Sequence, residues 1–198
     1  MIKFDNLKQD APYMLLKEKY DEALQADQKN IEAISISSFN KKNNEVDCRY
    51  VNLKFINNDE FIFFTNYKSP KASSFHSHNQ IAASFYWPSI NAQIRMKAKI
   101  KKTSTDFNQN YFTNRSKEKN ALAISSNQSK PIASYRKIKE NYKNSFNNDN
   151  LKKCPKYWGG FSFTPYYFEF WEGHKSRINK REAFEKIDHG WRELVLEP

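Results

Sequence analysis

The segment AQIRMKAKI, residues 92–100, is the most constraining stretch of the chain, because Ile94, Met96, Ala98 and Ile100 alternate strictly with polar residues. A period of two places those four side chains on one face of a strand and leaves the other face to water. EAISISSF, CRYVNLKFI, EFIFFTN and IAASFYW share its β-rich make-up and are parted by Asn-rich or polar turns. Toward the C-terminus come GGFSFTPYYFEFWEG, KSRINKREAFEKI and WRELVL, the last two separated at His189 and Gly190. A helix is predicted over residues 12–26, where a proline sits in the first turn and Tyr13, Leu16, Tyr20, Ala23 and Leu24 recur at helical spacing. Further helices are expected at SPKASSFHSHN, STDFNQNYFTNR and PIASYRKIKENYKNSF, and FNNDNLKK reads as a loop. This order predicts a mainly β, α+β chain: a closed or nearly closed, Greek-key-like antiparallel barrel with flanking helices, since closure removes exposed sheet edges.

With 198 residues, the chain is read as one domain, 1–198. Aromatic residues at 16% require burial, while a mean hydropathy of −0.91 requires a very polar surface. No stretch reaches the roughly 18 apolar residues of a membrane span, and MIKFDNLKQD lacks the apolar core of a secretion signal, so the cytoplasm is the expected compartment. Cys48 and Cys154 show no paired or metal-ligand spacing and are read as free thiols. A net charge of +11 suits a polyanionic partner. Its cations, however, are dispersed among acids, and no nucleic-acid-binding motif is visible, so neither nucleic acid nor membrane is expected as a partner.

No nucleophile elbow, zinc-protease motif, P-loop or dinucleotide fingerprint is present, and four glycines are too few for a backbone phosphate cradle. His76 and His78 have no acid at ligand spacing, so no metal site is expected. A bound phosphate must therefore be held by side chains. Arg49, Val51 and Leu53 share one strand face and Lys54 takes the other, Thr65, Ser69 and Lys71 lie at a strand-to-helix junction, and Tyr111 and Arg115 are four apart. WEGHKSRINKR places four cations and a histidine in the eight positions after Gly173. Taken alone, that segment fits a nucleic-acid patch, a pocket for a phosphorylated ligand, or a solvated hairpin.

The order of the blocks narrows the choice. RYVNLK, FFTNYKSPK, Gln93 in NAQIRM, YFTNR, NQSKPI, YWGGF, FEFWEG and RINKR, in that succession, resemble the pyridoxamine/pyridoxine 5'-phosphate oxidases of the FMN-binding split-barrel superfamily. The resemblance runs from the first helix to WRELVLEP. It implies a homodimer with two FMN molecules at its interface, oxidising the 4'-carbon of pyridoxamine or pyridoxine 5'-phosphate to pyridoxal 5'-phosphate with O2 as acceptor. It assigns FMN to Arg49, Tyr50, Val51, Asn52, Leu53, Lys54, Phe64, Thr65, Lys71, Gln93, Gln128, Ser129, Trp171 and Arg181. It assigns the substrate to Lys54, Tyr111, Arg115, Lys119, Arg177 and Asn179, with Arg177 and Asn179 in the catalytic positions. An apolar barrel face including Phe61, Phe63 and Ile94 is expected to be covered in the dimer.

The chemistry agrees with this assignment. Two phosphate monoesters carry about −1.5 to −2 charge each, so cations such as Arg49, Lys54, Lys71, Arg115, Arg177 and Arg181 are needed to balance them. Trp171 supplies a flat apolar wall. The chain departs from the family pattern at Pro70, where an arginine is usual, at Lys119 for a serine, at Asn179 for the histidine of an RxH signature, and at Val195 for an arginine. Three of these four changes bear on the substrate. The alternatives are a flavoprotein of this fold with a different heterocyclic substrate, and a protein that holds FMN or pyridoxal phosphate without turnover.

Overall fold

The computed structural model describes all 198 residues. Its elements in chain order are β1 (Lys3–Asp5), α1 (Ala11–Gln25), β2 (Ala33–Asn40), β3 (Glu45–Asn52), β4 (Phe55–Asn57), β5 (Glu60–Asn66), α2 (Pro70–Ser77), β6 (Gln80–Trp87), a short 3-10 turn (Pro88–Ile90), β7 (Ala92–Lys102), α3 (Thr105–Asn114), α4 (Lys117–Ser125), α5 (Tyr135–Asn148), β8 (Trp158–Glu172), β9 (Lys180–Ile187) and β10 (Gly190–Val195). The strands form one sheet in the order β1-β4-β5-β8-β7-β6-β2-β3, with β9 on β8 and β10 on β9.

The sheet departs from a closed antiparallel barrel in two respects. No hydrogen-bonded pairing joins β3 back to β1, so the barrel is split, and β1 runs parallel to β4. CRYVNLKFI, expected as one strand, is two. The Leu53 amide donates to the Glu32 carbonyl at 2.9 Å, whereas the next amide, Lys54, donates to Ile62 on β5 at 2.8 Å. The backbone thus changes partners between adjacent residues, which ends β3 and makes a corner.

Strand β8 joins the halves of the sheet. Its first six residues pair with β5, its last six with β9, and its other edge with β7 over nearly the whole length. The register slips between Lys97 and Ala98, where Tyr166 is the extra residue opposite and Pro165 sits beside it. A bulge bends a strand and tolerates a proline, so one fifteen-residue strand can serve both layers.

The core is one cluster of 27 buried residues, dominated by phenylalanines, with Phe61 stacked on Phe163 at 5.1 Å. Phe61, Phe63 and Ile94 belong to it and are at most 1% exposed, so they are not the face that a partner would cover; inward alternation has buried them within the chain itself. Helix α1 lies on this core through Tyr13, Leu16, Tyr20 and Ala23, while Leu24 points outward. Asp10 accepts a hydrogen bond from Trp191 Nε1 at 2.9 Å, tying the start of α1 to β10.

Helix α4 was not expected. Its apolar residues Ala121, Leu122, Ala123 and Ile124 are consecutive and carry no helical period. Helix α5 runs to Asn148, into the segment read as a loop, and β9 starts only at Lys180 because Arg177 has a left-handed φ of 60°. Gly159 and Gly160 are fixed by close approach. A Cβ on Gly159 would lie 2.5 Å from Asn108 Nδ2 and closer still to the Tyr67 hydroxyl. Gly159→Ala is accordingly expected to lower stability by about 1–3 kcal/mol through overpacking, read as a lower urea midpoint with an unchanged m-value.

Candidate functional site

Ten residues line a cleft of about 240 Å³ between β3, β5, the start of α2 and the end of α3: Tyr50, Val51, Asn52, Lys54, Phe64, Thr65, Lys71, Tyr111, Arg115 and Gln128. All ten were expected at the site. The β5–α2 turn brings Lys71 beneath Thr65, and the loop after α4 lays Gln128 over both. Gln128 Oε1 accepts from Thr65 Oγ1 at 2.7 Å, Lys71 Nζ at 3.2 Å and the Asn66 amide at 3.3 Å. Three donors thus converge on one oxygen.

Cations crowd this cleft. Burial holds Lys71 below the ordinary lysine value, and repulsion from Arg49 adds to it, partly offset by Asp47. Burial likewise depresses Lys54; Glu32 opposes the shift from 4.0 Å, and Lys119 and Arg115 reinforce it. Burial also pulls Arg115 down and pushes the Tyr111 phenol up. Arg49 itself reaches across β2 to Ser38 Oγ at 2.7 Å and pairs with Asp47. No acid lines the cleft. Cations held close with no acid among the lining residues favour an anion.

A second lobe of about 190 Å³ shares Phe64, Thr65, Arg115 and Gln128 and adds Lys119 and Trp158. The dividing wall is aromatic: Phe64 stacks on Tyr111 at 3.8 Å and on Trp158 at 5.2 Å, and the Arg115 guanidinium lies 5.0 Å over the Trp158 ring. Arg115 is fixed by the Lys119 carbonyl at 2.9 Å and Asn120 Oδ1 at 3.2 Å. Asn66, Ser126 and Trp158 line this lobe and were not anticipated. Asn66 and Trp158 lie in the quoted FFTNYKSPK and YWGGF blocks, but Ser126 carries no sequence signal.

The other expected residues lie elsewhere. Leu53 is fully buried in the core, leaving only its backbone near the cleft. Ser129, with a left-handed φ of 63°, lines a separate pocket with Lys130 and Ile132. Gln93 faces Trp171 across β7 and β8, and Trp171 faces Arg181 across β8 and β9. That row sits at the far end of β8 from Trp158, thirteen residues along, a contour of roughly 40 Å at about 3.3 Å per residue. Arg177 and Asn179 lie in the adjoining loop, where Asn179 Oδ1 accepts from the His174 amide at 2.9 Å. A larger groove of about 870 Å³ beside α1 includes Glu18, Asp21, Glu22, Glu182 and Glu193 in its lining, which disfavours an anion.

The depressed lysines set a pH dependence. A lysine whose folded pKa lies below its unfolded value leaves the folded state with fewer protons in that window, so stability rises with pH there, and a bound anion restores the proton. Inorganic phosphate is expected to bind most tightly near neutral pH and to weaken as pH rises through the Lys54 and Lys71 values, below the ordinary 10.5. Lys71→Ala should bind phosphate roughly tenfold more weakly with a flatter alkaline limb, measured by calorimetric titration.

A family model described as the pyridoxine 5'-phosphate oxidase C-terminal dimerisation region matches residues 158–198. The chain is 36% identical over 195 residues to the pyridoxine/pyridoxamine 5'-phosphate oxidase of Christiangramia forsetii, covering 96% of this chain and 89% of that protein. It is 31% identical over 191 residues to pyridoxine/pyridoxamine 5'-phosphate oxidase 1 of Hydrogenovibrio crunogenus, covering 94% and 88%. In fold it resembles PhzG from Burkholderia lata 383, solved in complex with tetrahydrophenazine-1-carboxylic acid, with a TM-score of 0.88 at 20% identity over 94% of this chain and 92% of that one. A pyridoxamine 5'-phosphate oxidase-related, FMN-binding protein from Nostoc punctiforme superposes with a TM-score of 0.74 at 13% identity, covering 92% and 97%. With a split barrel and more than 30% identity over nearly its whole length, the chain belongs to the pyridoxine/pyridoxamine 5'-phosphate oxidase family.

Proposed function

We propose that the protein is a homodimeric, FMN-dependent oxidase that converts pyridoxamine or pyridoxine 5'-phosphate to pyridoxal 5'-phosphate while O2 is reduced to peroxide. The observation that carries this reading is the convergence of Thr65 Oγ1, Lys71 Nζ and the Asn66 amide on one oxygen, that of Gln128, in a cleft with no acid in its lining. Such a donor set fits a phosphate oxygen, for which the Gln128 carbonyl stands in. FMN supplies the two-electron redox chemistry that the side chains lack.

The roles follow from position. Lys71 and Thr65 hold the cofactor phosphate, with Arg49 beside them. Lys54, Tyr111, Arg115 and Lys119 receive the substrate phosphate, and the Phe64 ring orients a flat heterocycle. The Trp158 ring and the Lys119 carbonyl keep the Arg115 guanidinium from swinging away. Gln93, Trp171 and Arg181 lie at the other end of β8 from Trp158, and a second copy contributes them to the ligand's site, together with Arg177 and Asn179. The family named for residues 158–198 as a dimerisation region supports this arrangement. No helix is long and apolar enough to cross a membrane, and we infer a cytoplasmic enzyme.

One observation favours a second reading, a flavoprotein of this family that oxidises a different heterocycle. Asn179 Oδ1 is engaged by the His174 amide, and a neutral amide cannot carry the proton that a histidine would in that place. Lys119 also puts a flexible charge where the family has a hydroxyl. Anaerobic mixing of the FMN-loaded protein with saturating pyridoxamine or pyridoxine 5'-phosphate separates the two. Bleaching of the flavin absorption is expected. A spectrum that stays fully oxidised while FMN remains bound would assign the protein to the second reading.

A further inference from the structure

Glu169 is the only carboxylate among the buried residues, at 3% exposure, yet it projects from the face of β8 opposite the core. Its neighbours on β8 at i−2 and i+2 are Tyr167 and Trp171, its cross-strand partner on β7 is Arg95, and Arg181 lies diagonally on β9. Both oxygens are saturated. Oε1 accepts from Arg181 Nη2 at 2.9 Å and Nε at 3.2 Å, and Oε2 accepts from Arg95 Nη1 at 3.1 Å and the Tyr167 hydroxyl at 3.0 Å. Arg181 Nη1 also donates to the Glu197 carbonyl at 2.6 Å. Three of the five N–H groups of Arg181 are thereby committed, and two on the terminal nitrogens stay free.

A buried carboxylate costs several kcal/mol of lost hydration, which this ring of donors offsets. The arrangement fixes the long Arg181 and Arg95 side chains before any ligand arrives, so their rotamer entropy is not lost on binding. Both stand on the face that carries Gln93 and Trp171, and Arg95 and Gln93 line one groove of about 400 Å³.

We propose that Glu169 is a positioning residue for cofactor binding. It holds Arg181, and with it Arg95 as a further ligand-facing cation, against the ring system of a flavin whose phosphate sits in the partner copy's cleft. The proposal rests on the FMN reading above. Because it acts on the ring system and not on the phosphate, its loss affects FMN and riboflavin alike.

The test is a double-variant cycle on the apoprotein, with FMN and riboflavin titrated by fluorescence quenching into wild type, Glu169→Gln, Arg181→Ala and the double variant. Glu169→Gln should weaken both flavins by the same factor, about tenfold, and should cause a clearly smaller loss in the Arg181→Ala background, where only its hold on Arg95 remains. Equal losses in both backgrounds would mean a general structural role and overturn the proposal. So would a loss confined to FMN, or none. A wild-type protein that binds neither flavin refutes the FMN reading and this inference with it. If Glu169→Gln does not fold, Glu169→Asp, which keeps the charge and withdraws it by one methylene, enters the same cycle with the same outcomes.

Discussion

The architecture depends on a single strand that has to satisfy three neighbours. Strand β8 takes β5 along its first half, β9 along its second and β7 along the opposite edge, and its bulge at Tyr166 lets it turn from one layer into the other. Where it begins, Gly159 and Gly160 admit the Tyr67, Thr103 and Asn108 side chains, which hydrogen-bond the Gly160 backbone opposite Phe64. Where it ends, it displays Glu169 and Trp171 between Arg95, Gln93 and Arg181. One strand therefore separates the two candidate sets of ligand-binding groups along its own length.

That separation gives the cleft its electrostatic character. Within one chain, Lys54, Lys71 and Arg115 are held at the expense of their own hydration, with repulsion from Lys119 and Arg115 on Lys54 and from Arg49 on Lys71. The Arg95–Glu169–Arg181 cluster, in contrast, is already compensated. An anion relieves the first set; a flat, weakly charged ring suits the second. A nucleotide-like ligand with a phosphate at one end and a conjugated ring at the other matches the two sets when they come from different copies.

The period-two pattern of AQIRMKAKI and its neighbours carried most of the strands, because alternation reports burial directly. It did not show the β3–β4 corner, since Leu53 and Lys54 keep the alternation while their amides exchange partners. It also misassigned Phe61, Phe63 and Ile94 to an outer face, because alternation tells two faces apart without telling which one lies inside. All ten residues that line the cleft are among those the resemblance assigns to the cofactor or the substrate. Glu169 is not, although it lies in the quoted FEFWEG: one acid in an aromatic strand looks like solvent-facing punctuation until two arginines on other strands are found beside it. Asn108, Asn120 and Thr103 escaped for a similar reason, since their hydrogen bonds to Gly160 and Leu151 join residues far apart in sequence.

The central claim is that one ligand site is built from two chains. Mixing two variants with weakened binding tests it most directly. Lys71→Ala damages the cleft and Arg181→Ala damages the far end of β8, and the two are unfolded together, refolded and titrated with FMN. If the site spans copies, each mixed dimer holds one site with both faults and one with neither, so about a quarter of all sites should regain wild-type affinity. If each chain carried its whole site, every site would keep one fault, and the mixture would bind FMN no better than the two variants refolded apart.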